Sequence, residues 1–360
     1  MRSVSIIGSL IVFITLIINF IIGIGGNMDN QLVNKTNSSQ DSTSYGITGT
    51  IKLKDVKYWA YQINGYYSKK DIESIANSKY DMVVLEPTKT CKDGLDFDTA
   101  GMVRRIKNSK ASDGKSGKLI LAYINIGEAE NWRWYWDKIS SAKNPEHNII
   151  ISPDPDGWKG NYLAAFWEDK WKDIIIYGSD TAKGLPYKSA IDEAISDGFD
   201  GIYLDWIEAY EETRVTQAAK KAGVDPKKEM IKFLSQIRAY TKQRIDDFII
   251  IQQNASSIVD ERDEAYDYID AIAQEGVWYD GTAYDEWDDP SACDIPNDTD
   301  LTLEYIINLS RYIKKGKPVF NVEYAEKNAE EVYELSRKNG YIPYCSRRAL
   351  SKLSNTPPYR

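Results

Sequence analysis

The chain has 360 residues, of which 42% are hydrophobic and 28% are charged, the proportions of an ordinary globular protein. Its 45 Lys and Arg against 54 Asp and Glu give a net charge of −9, which argues against a nucleic-acid-binding protein, because such a protein needs a basic face for phosphates. The single histidine, His147, excludes histidine-cluster metal sites, and three widely spaced cysteines (Cys91, Cys293, Cys345) exclude zinc and iron–sulfur motifs. We therefore predict no metal and no cofactor. One disulfide with a free thiol and three free thiols both remain open.

An apolar leader occupies residues 1–26. Arg2 precedes an almost unbroken apolar run from Val4 to Ile24. The run is long enough to span a bilayer, and its layout is also that of a secretory signal. A membrane anchor and a cleaved signal peptide therefore both fit, whereas a buried core helix fits less well because nothing polar interrupts the run. Either interpretation predicts an extracellular body, secreted or held at the outer face of the membrane by this segment alone.

A polar stretch follows the leader. Residues 27–50 are mostly Asn, Ser, Thr, Asp and Gly, which cannot bury enough apolar surface to fold, so we predict a flexible linker. Five Asn-x-Ser/Thr triplets in the chain are possible glycosylation sites: Asn34, Asn37, Asn254, Asn297 and Asn308.

Short apolar runs alternate with helical patterns through residues 51–348, which we interpret as one domain followed by a tail at 349–360. The predicted strands are Tyr58–Gln62, Met82–Leu85, Leu119–Ile124, Gly201–Trp206, Phe248–Gln252, Ala271–Glu275, Pro318–Val322 and Tyr341–Tyr344. The predicted helices are Lys69–Asn77, Thr99–Asn108, Ser189–Asp197, Lys227–Asp247, Thr302–Lys315 and Ala325–Lys338. Several strands are continuous apolar runs, as expected for parallel strands covered on both faces.

This alternation indicates an α/β fold, either a doubly wound sheet or a closed barrel. Eight strands favour a (β/α)₈ TIM barrel, and the absence of G-x-G-x-x-G after the first strand removes the main support for a dinucleotide-binding sheet. The connection from Gly127 to Lys183 is long and carries six tryptophans, Trp167 among them. Long loops after barrel strands lie on the catalytic face.

Polar residues follow the strands at the points where they end. Because the carboxyl ends of barrel strands share one rim, we expect these carboxylates and amides to converge there. Together with nearby aromatic residues they are the predicted substrate-binding groups: Tyr61, Gln62, Glu86, Asn125, Glu128, Trp167, Tyr203, Gln253, Asn254, Glu323 and Tyr324. For Glu86, which precedes Pro87, a structural capping role is an equal alternative.

Carboxylates beside aromatic rings suit glycoside hydrolysis. The reaction needs one carboxylic acid to protonate the leaving oxygen and one carboxylate to attack the sugar or activate water. Asp205 and Glu275 are the leading pair, because each directly ends an apolar strand and the two strands alternate around the rim. The alternative is that either residue merely caps the helix after it.

Several segments resemble glycoside hydrolase family 114, the endo-α-1,4-polygalactosaminidase-like proteins. The resemblance spans about Val56 to Arg347 and depends on five runs: Tyr58–Gln62, Ala122–Glu130, Gly198–Trp206, Gln252–Ala255 and Gln274–Gly276. It implies a TIM barrel that cleaves an α-linked amino-sugar polysaccharide in endo mode. It also implies Asp205 as the nucleophile of a retaining reaction and Glu275 as the acid/base.

Two other functions remain open. One is a catalytically inactive barrel that binds carbohydrate at the cell surface. The other is a metal-dependent lyase that uses Glu86, Glu128 and Glu323 with Asp205. We expect a monomer whose partner is a polysaccharide, with no nucleic acid bound.

Overall fold

The computed structural model describes residues 46–87, 97–140, 149–179, 188–259, 264–282 and 286–354. The predicted leader, most of the predicted linker, the end of the tail, His147 and Cys91 lie outside these ranges. Within them, no helix combines the length and apolar character required to cross a bilayer.

Eight parallel strands form the main sheet, which curls into a nearly closed barrel. In spatial order they are β1 (Trp59–Gln62), β2 (Met82–Leu85), β3 (Leu119–Asn125), β7 (Gly201–Asp205), β8 (Ile249–Gln253), β9 (Ala271–Glu275), β12 (Val319–Glu323) and β13 (Ile342–Cys345). The last strand lies next to the first, where Trp59 Nε1 donates a hydrogen bond of 2.8 Å to the carbonyl of Ile342. The eight predicted strands are all present, and each predicted end lies within one residue of the observed one.

Burial explains why these strands could be predicted. The side chains of β2 and β3 are buried along their whole length, as in a parallel sheet with helices outside and packed side chains inside. Neighbouring strands are in register so that Asn125 pairs with Asp205 across β3 and β7. The ends of the strands therefore meet at one rim.

Nine α-helices are described. They are α1 (Lys69–Ala76), α2 (Thr99–Lys107), α3 (Trp136–Ile139), α4 (Asp169–Lys172), α5 (Ala190–Ser196), α6 (Thr213–Ala222), α7 (Pro226–Lys242), α8 (Thr299–Lys314) and α9 (Ala329–Lys338). Capping sets several starts: Ser68 forms a capping box with Asp71 at α1, and Asp225 caps α7 ahead of Pro226.

Two helix predictions need correction, and the helix α6 was not predicted. The helix predicted to run to Asp247 ends at Lys242, and a separate helix, α6, precedes it. The helix predicted from Ala325 starts four residues later, at Ala329. The backbone N–H and Nδ2 of Asn328 both donate to Asp294, and these hydrogen bonds keep the residues before Ala329 out of the helix.

Two small antiparallel sheets stand at the carboxyl rim of the barrel. β4 (Glu128–Glu130), β6 (Asn161–Ala164) and β5 (Ile150–Pro153) pair in that order within the long connection after β3. β10 (Tyr279–Gly281) pairs with β11 (Asp294–Pro296) after β9. The sequence analysis did not predict them, since these short strands mix polar and apolar residues and lack the apolar runs of the barrel strands. They build walls above the strand ends.

Candidate active site

A cleft of about 840 Å³ opens at the carboxyl ends of the barrel strands. Seven of the predicted site residues line it: Tyr61, Glu86, Asp205, Gln253, Asn254, Glu275 and Tyr324. The two predicted catalytic carboxylates, Asp205 and Glu275, therefore face one shared space. The walls come from the small sheets and the loops around them.

Asp205 is the last residue of β7 and is 9% exposed. Its Oδ1 accepts a hydrogen bond of 2.8 Å from the backbone N–H of Trp206, and its Oδ2 accepts one of 2.5 Å from the hydroxyl of Tyr123. Trp206 is in the left-handed conformation (φ 58°), which turns the chain sharply after the strand. Burial and then the charge of Glu275 raise the pKa of Asp205 to about 7, although both hydrogen bonds lower it.

A glycine allows β3 to end close to this carboxylate. A Cβ on Gly127 would lie 2.0 Å from the carbonyl oxygen of Trp206. No side chain fits in that distance, so the loop after β3 passes directly against the turn that carries Asp205.

Glu275 ends β9 and is partly exposed. Asn254 Nδ2 donates to its Oε2 at 3.0 Å, and the hydroxyl of Tyr324 donates to its Oε1. The side-chain oxygen of Asn254 also accepts from the backbone N–H of Glu275 at 2.9 Å. Asn254 itself has φ 55°, a left-handed conformation that asparagine tolerates better than most residues. The geometry fixes the direction of the Glu275 carboxyl.

A third carboxyl group, Glu208, stands beside the pair and was not predicted. It lies in the 3₁₀ turn Ile207–Glu211, and its Oε1 accepts a 3.0 Å hydrogen bond from the same Nδ2 of Asn254. Burial and then the charge of Asp205 raise its pKa well above the ordinary value of a glutamate. Glu208 lies three residues after Asp205, one turn beyond the end of the strand, and this spacing could have predicted that it stands at the same rim.

Arg133 joins two further carboxylates at the cleft. Its guanidinium contacts both oxygens of Glu86, and its Nε donates to Glu130 at 2.5 Å. All three side chains are at least nine-tenths buried. Glu86 therefore lines the cleft as half of a buried ion pair.

Six predicted substrate-binding residues are not among those that line the cleft in the described part of the chain: Gln62, Asn125, Glu128, Trp167, Tyr203 and Glu323. Most of these side chains form hydrogen bonds or packing contacts inside the protein, which keep them away from the cleft. Gln62 donates to the carbonyls of Asn64 and Ser351, and Asn125 accepts from the backbone N–H of Glu128.

Of the aromatic and acidic members of this group, Glu128, Tyr203 and Glu323 are fully buried, and Trp167 is partly buried against the core. Tyr203 is fully buried with its ring 5.1 Å from that of Tyr61. Glu323 accepts backbone N–H donors from Val277, Trp278 and Tyr279, and so anchors the chain after β9; burial still raises its pKa to about 7. Trp167 packs against Phe166 with ring centroids 5.2 Å apart.

Different aromatic residues line the cleft from the loops. Trp132 and Trp158 come from the long connection after β3, and Tyr67 from the loop after β1. Trp132 is 38% exposed and Tyr67 is 57% exposed. All six tryptophans of the connection look alike in sequence, and only the small sheet decides which of them face the cleft.

Three of the sequon asparagines are engaged within the fold. Asn254 holds Glu275, Asn308 is buried within α8, and Asn297 Nδ2 donates to the carbonyl of Gly276. Asn34 and Asn37 lie outside the described residues. In the described ranges no group of three or more His, Cys, Asp or Glu is arranged to hold a metal ion.

A protein-family model described as glycoside-hydrolase family GH114 matches residues 48–359. Uncharacterized proteins of Deinococcus radiodurans and Thermotoga maritima are each 28% identical, over 85% and 81% of both chains respectively.

Two solved structures share the fold. The glycoside hydrolase domain of PelA from Pseudomonas aeruginosa superposes with a TM-score of 0.57 at 14% identity, covering 84% of this chain and 98% of that one. Aspergillus fumigatus Ega3 in complex with galactosamine gives a TM-score of 0.55 at 15% identity, covering 85% and 98%.

Proposed function

The chain belongs to glycoside hydrolase family GH114, and from that premise we propose that it hydrolyses an α-linked amino-sugar polysaccharide with Asp205 and Glu275 as its catalytic pair. One observation carries the assignment. Asp205 ends β7 and Glu275 ends β9, the strands on either side of β8, and both carboxylates line one open cleft. This is the rim on which TIM-barrel enzymes place their catalytic groups.

The hydrogen bonds and the exposure of the two carboxylates support different catalytic roles for them. The Tyr123 hydroxyl and the Trp206 amide both donate to Asp205 and favour its ionised form, as an attacking carboxylate requires. Glu275 is the more accessible of the two and would donate its proton to the leaving oxygen, then take one from water.

A raised pKa at Asp205 fits this mechanism. Burial and the charge of Glu275 raise the pKa of Asp205 to about 7, so its carboxylate becomes ionised as the pH rises through neutral. The attack on the sugar needs that charge on Asp205. Positive charge that develops on the sugar ring beside Asp205 in the transition state stabilises the ionised form.

The walls of the cleft favour a cationic sugar. Besides the catalytic pair, seven carboxyl groups line it: Glu86 and Glu130, which pair with Arg133, Glu208, whose pKa is raised, and Asp156, Glu211, Asp280 and Glu304. Arg348 is the basic residue in the described lining, and it is paired with Asp280. A protonated amine is attracted to such a surface, whereas an anionic polymer is repelled. Ega3, which shares the fold, is described in complex with galactosamine.

The arrangement of the lining supports cleavage within a chain. Tyr67 and Trp132 follow the first and third barrel strands, while Leu301 and Tyr305 follow the sixth, on the opposite side of the ring. Sugar rings stack on apolar and aromatic surfaces. A polymer could thus contact the protein on both sides of the catalytic pair. We further propose that the leader places this barrel outside the cell, where polysaccharides occur.

A glycan-panel digestion tests the proposal. The whole chain would be incubated with partly and fully deacetylated galactosaminoglycan, with neutral and acidic polymers as comparison, and the products identified by mass spectrometry. We expect oligosaccharides from the amino-sugar polymer, and none from variants Asp205→Asn and Glu275→Gln with unchanged circular dichroism. Binding without products would instead indicate a carbohydrate-binding barrel, and near-normal turnover by either variant would overturn the catalytic assignment.

A further inference from the structure

Two buried carboxyl groups behind one wall of the cleft have oxygens without a hydrogen-bond partner. Glu128, the first residue of β4, is fully buried, and Asp154, directly after β5, is 8% exposed. Glu128 Oε1 and Asp154 Oδ2 both lack a partner. Unmet buried acceptors are costly, so a pair of them calls for a specific explanation.

The other oxygen of each carboxyl group accepts hydrogen bonds. Glu128 Oε2 accepts from Asn161 Nδ2 at 2.9 Å and from Asn125 Nδ2 at 3.3 Å. Asp154 Oδ1 accepts from the backbone N–H of Trp158 at 2.9 Å. Glu128 Oε1 and Asp154 Oδ2 are left over, and both are acceptors unless one carries a proton.

We propose that Glu128 is a positioning residue that is held as a neutral carboxylic acid and donates its proton to Asp154, pinning the 154–161 loop against β4. One O–H satisfies both unmet oxygens at once. The charges that act on Glu128 from the surrounding elements are both negative, Asp154 and Asp205. Burial and the hydrogen bond with Asp154 raise its pKa to about 10.

The pinned loop forms part of the substrate cleft. Asp156, Trp158 and Asn161 all line the cleft, and β4 leads on to Glu130 and Trp132 in the same lining. The backbone N–H of Asp154 also donates to the carbonyl of Asn161 at 3.0 Å, which closes the loop on itself. The acid pair therefore sets where one wall stands, without touching the reacting atoms. This conclusion rests on the proposed function only for its effect on substrate.

The proton can be detected directly. A protonated carboxylic acid has a carbonyl-stretch infrared band separate from that of a carboxylate. At pH 8 we expect the spectrum of the wild-type chain to contain a band of this kind that is missing from Glu128→Gln and shifted in frequency in Asp154→Asn, because the acid then loses its carboxylate acceptor. Both variants keep a hydrogen bond, because an amide N–H can donate across the pair. Identical wild-type and variant spectra in this region would overturn the proposal.

Steady-state kinetics then distinguish the proposed Glu128–Asp154 hydrogen bond from a merely structural role. Since the raised pKa keeps the proton in place until the pH approaches 10, Glu128→Gln should retain the wild-type KM at pH 7. Glu128→Ala and Asp154→Ala each leave one partner unmet, and should raise KM about tenfold or more with kcat within about threefold. Their double variant should show no further increase, because both remove the same interaction.

The outcomes distinguish this proposal from the proposed function. The infrared test needs no substrate, so it decides the shared proton even if no polysaccharide is cleaved. Additive effects of the two alanine substitutions on KM would contradict the proposed Glu128–Asp154 hydrogen bond. So would a KM in Glu128→Gln as high as in Glu128→Ala. A KM that rises when the wild-type chain is treated with EDTA would indicate a cation between the two carboxylates in place of the proton, and would also overturn it.

Discussion

The hydroxyl of Tyr123 lies 2.5 Å from Oδ2 of Asp205 and donates a hydrogen bond to it from the neighbouring strand. Burial and Glu275 raise the pKa of Asp205, and this bond opposes them. Tyr123 thus keeps the carboxylate ionised at a lower pH than its surroundings alone would allow.

Replacing Tyr123 by phenylalanine should move the acid limb of the pH–rate profile upward. Without the donor, the pKa of Asp205 rises further above 7, and the fraction of ionised Asp205 at pH 6 falls. We expect kcat/KM at pH 6 to drop by about tenfold or more, with a smaller loss at pH 8. Tyr80→Phe is the matched control, because its hydroxyl bonds to the carbonyl of Ser354 away from the cleft. Equal losses at both pH values would contradict the assignment.

The raised pKa of Asp205 also predicts a cost in stability. A carboxyl that ionises near pH 7 when folded but near pH 4 when unfolded binds its proton more tightly in the folded state. Stability contributed by this group is therefore present at low pH and lost as the pH rises toward 7, by up to about 4 kcal/mol.

Asp205→Asn should remove that loss. We expect its free energy of unfolding to exceed that of the wild type at pH 8, by about 1–3 kcal/mol, and the difference to close toward pH 4. Urea denaturation at several pH values measures this. Asp113→Asn is a control of opposite sign, because hydrogen bonds from Ser116 and Lys115 lower the pKa of Asp113 to about 2. Parallel pH curves for wild type and Asp205→Asn would rule out the buried charge as the cause.

Asn254→Asp tests the two hydrogen bonds by which Asn254 orients Glu275. Aspartate keeps the oxygen that accepts from the Glu275 backbone and tolerates the left-handed conformation, so the fold should survive. It loses the Nδ2 donor shared by Glu208 and Glu275, and adds a negative charge between them. We expect kcat to fall about a hundredfold while the thermal midpoint changes by only a few degrees. A loss confined to KM would instead make Asn254 a substrate-binding residue.

The sequence was sufficient to predict the barrel and the location of the rim. Buried parallel strands are continuous apolar runs, and such runs end abruptly in a polar residue, as β7 does at Asp205 and β9 at Glu275. Both features are local, so one sequence can reveal them. The chemistry proposed for the two residues follows from the use of two carboxylates in glycosidic cleavage.

The supporting groups could not be predicted in the same way. Tyr123 lies within an apolar run, and nothing local indicates that its hydroxyl meets a residue 82 positions later. Glu128 was predicted to bind substrate, yet the small sheet turns it away from the cleft toward Asp154. Such contacts depend on which short strands pair, and a three-residue strand leaves no periodic signal.

Arg133 offers a stability test of this long-range kind. It joins Glu86 to Glu130, and its side chain and those of both partners are at most 10% exposed. Arg133→Met would leave two buried carboxylates without their cation, which should lower the free energy of unfolding at pH 7 by about 3–5 kcal/mol.

The matched control for this substitution is Arg105→Met. Arg105 also pairs bidentately with a glutamate, Glu73, but both side chains are more than a third exposed. Water already solvates that pair, so its removal should cost less than about 1 kcal/mol. Similar losses in the two variants, measured by urea denaturation, would mean that the Arg133 cluster contributes no more than a surface ion pair. In that case the wall that carries Glu86 and Glu130 would have to be held in place by its backbone pairing alone.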